Sequence, residues 1–301
     1  MQIIGKTKLD FIGKRNISFT ISSIIAIIGI VAIVQISRGA ANMGIDFTGG
    51  TSLQLKFEKP LSMESARKAL NKDGLEVSLQ ELTDGNKLLV KVGKTTLETG
   101  VVAETVEKVL KKEFPANPFI VESSTEIGPS IGEKLRKDTL IAIVVAMLGI
   151  ILYIAWRFDF KFGIAAALAT FHDVLAILAI FFILNKEINL LLITAVLTIA
   201  GYSLTDTVVV FDRIRENMHK NMKEPLMTVF NLSINEVLSR TIITALTTLL
   251  AALALFLFGG EVIHDFSFAL VVGILVGTYS SIFVASPLVV LWENRVLRSK
   301  A

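Results

Sequence analysis

Cysteine is absent from the 301 residues. Disulfides, thiolate metal sites and cysteine nucleophiles are excluded with it, while the redox compartment is left open. Histidine is scarce, three in all, and no HxxxH-type spacing pairs two of them, so a metalloenzyme is not expected. Charge of either sign is nearly cancelled: 30 basic against 27 acidic residues leave +3, which gives no electrostatic footprint for nucleic acid. No motif supports an enzyme acting on lipid or peptide, and no cofactor is implied. Apolar sequence is what the chain has in excess, 52% hydrophobic, more than an ordinary soluble domain carries. Several runs reach the roughly 20 residues a spanning helix needs.

The first run, Asn16 to Ile36, follows a basic start containing Lys6, Lys8, Lys14 and Arg15. Its apolar core exceeds the 7–15 residues of a signal h-region, so it reads as an uncleaved anchor. Five more follow: Thr139 to Trp156, Phe162 to Leu184, Leu190 to Phe211, a run from about Arg240 to Phe258, and Phe266 to Trp292. The polar stretch Asp212 to Glu224 reads as a loop, and Pro225 to Ser239 as an interfacial segment. Gly273 and Gly277 in the sixth run have the spacing for close helix contact.

Between the first two runs the composition is that of a soluble domain. From Ala40 to Ser130 there are 11 Lys/Arg and 13 Asp/Glu. Gly44 to Glu58 ends in period-two alternation, Leu53, Leu55 and Phe57, which reads as a strand. Pro60 opens a short helix with Met63, Ala66, Ala69 and Leu70 on one face. Leu75 to Leu82 and Lys87 to Val92 read as strands joined by a turn at Thr83-Asp84-Gly85-Asn86. Leu97 to Phe114 is helical, and Pro118 to Ile127 is the last strand. The order β-α-β-β-α-β is the ferredoxin-like motif. Gly49-Gly50 reads as a tight backbone turn, because no helix start or lysine follows at phosphate-loop spacing; Asp46 reads as a turn acid.

Basic residues sort by side. The N-terminus, the 157–161 and 212–224 connections and the C-terminus (Arg295, Arg298, Lys300) hold them; the 185–189 and 259–265 connections hold almost none. Both termini are therefore expected in the cytoplasm and the soluble domain outside. The expected architecture is a polytopic α-helical membrane protein of six transmembrane helices. An α+β ferredoxin-like extracytoplasmic domain sits between helices 1 and 2. The divisions expected are 1–39, 40–136, 137–294 and a 295–301 tail.

Three ionisable residues lie inside apolar runs. Asp206 sits seven residues before Arg213, about 10 Å along a helix, and a carboxylate there costs roughly 2.5–3.5 kcal/mol on insertion scales. Arg240 opens the next run, and an antiparallel hairpin would bring the two to the same level. Such a pair either handles protons or only locks two helices. His172 and Asp173 lie ten residues after Phe162, about 15 Å and near the midplane. Neighbours on a helix point about 100° apart, so one can line a polar path while the other caps a neighbouring helix.

Long ordered motifs carry a family resemblance. They are GIDFTGGT from Gly44 to Thr51, His172-Asp173-Val174, and GYSLTDTVVVFDRIREN from Gly201 to Asn217. SINEVLSRTIITALTTLL from Ser233, FGGEVI from Phe258 and VGTYSSIFVASP from Val276 complete them. The chain resembles the SecF side of the bacterial SecD/SecF protein-export family, in the resistance-nodulation-division superfamily. Thr205 departs from it, where the family often has Asn. The resemblance implies an accessory subunit of the Sec translocase in the bacterial inner membrane, driven by the proton motive force. SecD, the SecYEG channel, YajC, YidC, the translocating protein and the bilayer are the implied partners. It assigns Asp206 and Arg240 to proton conduction, with His172 and Asp173 as secondary members. Sodium can replace the proton at such a carboxylate, and an autonomous proton-coupled small-molecule exporter is the alternative.

Overall fold

The computed structural model describes residues 7–72, 75–82, 86–93, 101–260 and 262–300, with side chains through Glu293. The chain divides into two compact units, Met43–Ile141 and the combination of Met1–Asn42 with Ala142–Ala301.

The smaller unit opens on a four-residue helix, α2 (Ile45–Thr48), ahead of the alternating residues that read as strand. Gly49 and Gly50, with φ of 72° and 132°, turn the chain out of α2 and into β1 (Gly50–Phe57). The order continues with α3 (Met63–Lys72), β2 (Val77–Glu81), β3 (Lys87–Val92), α4 (Val101–Glu113) and β4 (Phe119–Ile127). Helix α3 starts three residues after Pro60. The expected turn residues Thr83 to Gly85 and the expected helix start at 97–100 lie outside the described residues. The sheet order is β2-β3-β1-β4 with every pair antiparallel, the ferredoxin-like order. One face is apolar because alternate residues point to it. Leu53, Leu55 and Phe57 meet Leu88, Val90 and Val92, and Ala66, Leu70, Val106 and Leu110 of the helices close over them.

Among the described residues, six helices are long and apolar enough to cross a membrane by length and composition: α1 (Arg15–Ser37), α5 (Pro129–Arg157), α6 (Phe160–Ile183), α7 (Leu190–Lys220), α8 (Leu226–Phe258) and the α9 (His264–Ser280) to α10 (Ser286–Lys300) run. The chain is a helical membrane protein with a small sheet domain. Pro129 stands first in α5, where its missing N–H costs nothing. The Asn189 side chain caps α7 by accepting from Leu192 N at 3.0 Å.

Helix α7 runs nine residues past Phe211, through what reads in the sequence as loop. Arg213 pairs with Glu216 and with Glu236 on α8, and Lys220 pairs with Glu216; such i,i+3 and i,i+4 pairs sustain a helix where hydrophobicity stops. Residues 226–239 are likewise continuous with α8 rather than a separate interfacial piece. Ion pairs gather at the two ends of the bundle. Lys186–Asp265 holds one end; Arg157–Asp212 and Lys161–Glu293 hold the other.

Two close approaches shape the core. A Cβ built on Gly277 would meet Ser203 Cβ at 3.0 Å, and one on Gly273 would enter the Ile199 side chain, so the glycine pair sets α9 tightly against α7. The α9–α10 run is interrupted by a π-helical turn, Ser281–Ala285. Pro287 accounts for it, since proline cannot bond to the carbonyl four residues back and a wider turn absorbs the gap.

The segment before α1 forms a strap on α8. Asn231 Oδ1 accepts from Phe11 N and Ile12 N at 2.9 and 3.0 Å, and Asn235 accepts from Leu9 N at 2.9 Å. Phe11 and Ile12 are buried against Phe230 and Ile234 in the core. Asn231→Ala should leave two backbone donors without their acceptor, costing about 1–3 kcal/mol, and hydrogen exchange at residues 9–13 should rise first. The Gly13 N–H and the Asn231 amide hold the Asp10 carboxyl below its usual 3.8. A folded pKa below the unfolded one adds stability that is present above the unfolded value and lost as pH falls through the folded one. The strap should therefore loosen only below about pH 4, and loosening at neutral pH would contradict this.

Candidate functional site

Helix α7 carries polar residues on two neighbouring faces. Ser203 faces α6 and α9 and Thr207 the π-helical turn; Asp206, one turn on from Ser203, is 4% exposed. Its Oδ2 is buried and has no hydrogen-bond partner among the described residues. Arg240 on α8 acts on Asp206 through space, but no ion pair joins them among the described residues, and the Arg240 side chain is exposed on this chain. The two helices thus bring acid and guanidinium near one another without closing them into a bridge.

The second group is tied much harder. Asp173 on α6 is 0% exposed. Its Oδ1 lies 3.1 Å from His172 Nδ1, so these neighbours turn toward each other rather than apart. Ser203 Oγ of α7 and Ser280 Oγ of α9 both donate to Asp173 Oδ2, the latter at 2.8 Å. One turn along, Thr207 and Ser281 hydroxyls lie 3.0 Å apart. The carboxylate therefore joins three helices beside the π-helical turn. Taking a charged group out of water is costly unless it is hydrogen-bonded, and here the bonds are supplied. His172 is 6% exposed and its Nε2 has no partner among the described residues; the ring lies 6.4 Å from that of Tyr279, whose hydroxyl donates to Ser18 O of α1 at 3.0 Å.

Asp206 with Arg240 and His172 with Asp173 are thus two groups, connected through α7 rather than merged. Ser203 and Ser280 are not among the residues that the sequence marks as candidates. Ser203 and Thr207 at i,i+4 in an apolar run were the available signal, but their partners are 30 and 74 residues away. Thr205 points elsewhere: its hydroxyl bonds back to Gly201 O at 3.1 Å, so the departure at this position does not touch Asp206.

Residues 105–295 match the family model described as protein export membrane protein SecD/SecF, C-terminal, and residues 41–61 match the SecD/SecF GG motif. The chain belongs to the SecD/SecF family. A protein named protein translocase subunit SecF from Thermodesulfovibrio yellowstonii is 56% identical over 97% of each chain. One of the same name from Calditerrivibrio nitroreducens is 42% identical over 97% of this chain and 96% of its own. A crystal structure of SecDF from Thermus, titled a translocon-associated membrane protein, is similar over 96% of this chain at 38% identity and TM-score 0.83. This chain spans 39% of the length of that one. The GG motif of the family falls on Gly49 and Gly50, whose left-handed backbone starts β1.

Proposed function

We propose that this chain is an accessory subunit of a bacterial Sec translocase that uses the proton motive force to promote protein export. In this reading it pairs with SecD and works beside the SecYEG channel, with YajC and YidC as further neighbours. It lies in the inner membrane with both termini in the cytoplasm and the sheet domain outside. The distribution of Lys and Arg supports that orientation. Relatives matched end to end and named translocase subunits support the role, and they do not favour an autonomous exporter.

One observation carries the proton reading: a buried carboxylate, Asp206, has an unpartnered oxygen and a nearby guanidinium that does not close on it. Desolvation favours the neutral acid and a neighbouring cation favours the ionised one, so the group can load and release. Loading weakens the attraction between α7 and α8, and release restores it. One charge crossing 100 mV supplies about 2.3 kcal/mol, a bias of roughly fifty-fold on a two-state arrangement at about 1.4 kcal/mol per decade. His172 and Asp173 would serve as secondary members, and sodium could take the proton's place. No resident cofactor is called for.

Asp206→Asn should leave insertion and assembly with SecD intact while removing the stimulation of export by a proton gradient in membrane vesicles. Equal stimulation of wild type and variant would take Asp206 out of the mechanism. The double change Asp206→Asn with Arg240→Gln separates a proton path from a helix lock. A lock regains function when both charges go, whereas a proton path does not.

A further inference from the structure

Four buried side-chain polar atoms have no hydrogen-bond partner among the described residues: His172 Nε2, Tyr202 OH, Asp206 Oδ2 and Thr241 Oγ1. Buried polar groups are normally satisfied, and each exception asks for an explanation. Tyr202 and Asp206 both stand on α7, four residues apart and so on one face. Thr241 follows Arg240 on the helix packed against it. The Tyr202 hydroxyl experiences the Asp206 charge and lies beside the Thr248 hydroxyl of α8 and the Thr278 hydroxyl of α9, but closes no well-formed hydrogen bond with any described residue. Three helices thus turn hydroxyls toward one place about 6 Å along α7 from the acid, on the Leu190 side.

A phenol at this position is costly as mere packing. Phenylalanine would fill the same volume without burying an unpaired hydroxyl, a burial worth about 1–3 kcal/mol. The hydroxyl can accept one hydrogen bond while donating another, and water fits where several polar atoms converge. We infer that Tyr202 is a relay residue that passes protons, through a bridging water, between Asp206 and the end of the bundle that begins α7. A proton arriving on the Tyr202 oxygen releases the hydroxyl's own hydrogen to the bridging water, which gives one of its hydrogens to Asp206 Oδ2, so tyrosine and water are unchanged and one proton has moved. The Thr248 and Thr278 hydroxyls, which donate to Thr244 O and Ile274 O, flank the phenol. This rests on the proton-driven reading of Asp206, and it adds the side from which that acid is served.

The test uses the full chain reconstituted with SecD in proteoliposomes, with proton uptake followed by a pH-sensitive dye across a range of external pH. Tyr202→Phe should assemble normally and lower uptake about a hundredfold, the lower end of what a positioned proton-transfer group contributes. Tyr202→His, which restores a donor and an acceptor, should recover part of it with a displaced pH profile. Uptake equal to wild type in Tyr202→Phe overturns the inference. Loss in both variants with an unmoved pH profile also overturns it, because packing alone would then explain the residue. Asp206→Asn run in parallel keeps the two ideas apart. If that variant takes up protons like wild type the proton-driven function itself fails, whereas its loss beside an unaffected Tyr202→Phe removes only the role of the tyrosine.

Discussion

Replacing Gly50 with valine should prevent the sheet domain from closing. The backbone there has φ of 132°, a conformation reserved for glycine, and forcing another residue into it costs about 1–3 kcal/mol. A second cost adds to the first. A Cβ on Gly50 would lie inside contact distance of the Val92 carbonyl oxygen. That carbonyl cannot retreat without disturbing the pairing of Thr51 with Val92, which aligns β1 and β3. Gly49 leaves no room on the other side, since a Cβ built there would stand 3.0 Å from Pro129 Cα, and Gly132 packs on the Gly49 backbone. The combined loss is a large part of the roughly 5–15 kcal/mol that holds a domain together. In the purified full chain, limited proteolysis should cut Gly50→Val within 43–141 under conditions that spare wild type. Gly93→Ala, next to Val92 but with nothing within 4 Å of its added methyl, should resist like wild type. A valine variant as resistant as its parent would show that backbone strain and the Val92 contact do not explain the GG motif.

Much of this architecture is legible from local pattern, and the reason is that its driving forces are local. Period-two alternation at Leu53, Leu55 and Phe57 and the helical stripe at Val102, Val106, Val109 and Leu110 each describe one face that must find an apolar partner. The six apolar runs announce themselves by length. Gly273 and Gly277 announce a close contact, and Ile199 and Ser203 supply it. What is illegible depends on residues far apart in the chain. The strap at Leu9 to Ile12 is held by amides some 220 residues away, and nothing in its own composition distinguishes it from a basic leader. The extension of α7 past Phe211 depends on a carboxylate of α8 as well as on its own charge spacing. The helix Ile45–Thr48 is too short for any period to register. The π-helical turn had a local cue in Pro287, but a proline in an apolar run marks a disturbance without saying which kind.

The candidate site divides along the same line. A carboxylate in an apolar run identifies Asp206, and antiparallel connectivity suggests that Arg240 stands near it. Sequence cannot say whether the two close into a bridge, because that depends on side-chain reach at a helix crossing. The geometry leaves Asp206 Oδ2 unpartnered. For Asp173 the difference is greater. A helical wheel separates it from His172, whereas the rotamers bring them to 3.1 Å, and its two serine partners come from helices 30 and 107 residues away.

Asp173→Leu should destabilise the bundle, and Asp173→Asn should not. Leucine removes the acceptor of Ser203 and the partner of His172 Nδ1, both buried, and each buried group left unsatisfied costs about 1–3 kcal/mol. Ser280 suffers less, because its hydroxyl has Gly277 O within 3.1 Å as an alternative. Two groups together cost about 2–6 kcal/mol, located where α6, α7 and α9 meet. Asparagine keeps an oxygen for both serines and offers an amide to His172 Nδ1, so the junction survives at nearly the same shape. Thermal unfolding of the purified chain in detergent, followed by size-exclusion chromatography, should give a clear loss of folded protein at lower temperature for the leucine variant alone. The pair of variants also decides what the buried acid is for. Asparagine cannot gain or lose a proton in the range where a carboxyl does, so a stable Asp173→Asn protein with normal gradient-driven export would make Asp173 a helix junction only. A stable variant that loses export would put Asp173 in the path beside Asp206, with Ser203 connecting the two faces of α7. If the leucine variant were as heat-stable as wild type, the three hydrogen bonds around Asp173 would contribute little, and both alternatives would lose their structural premise.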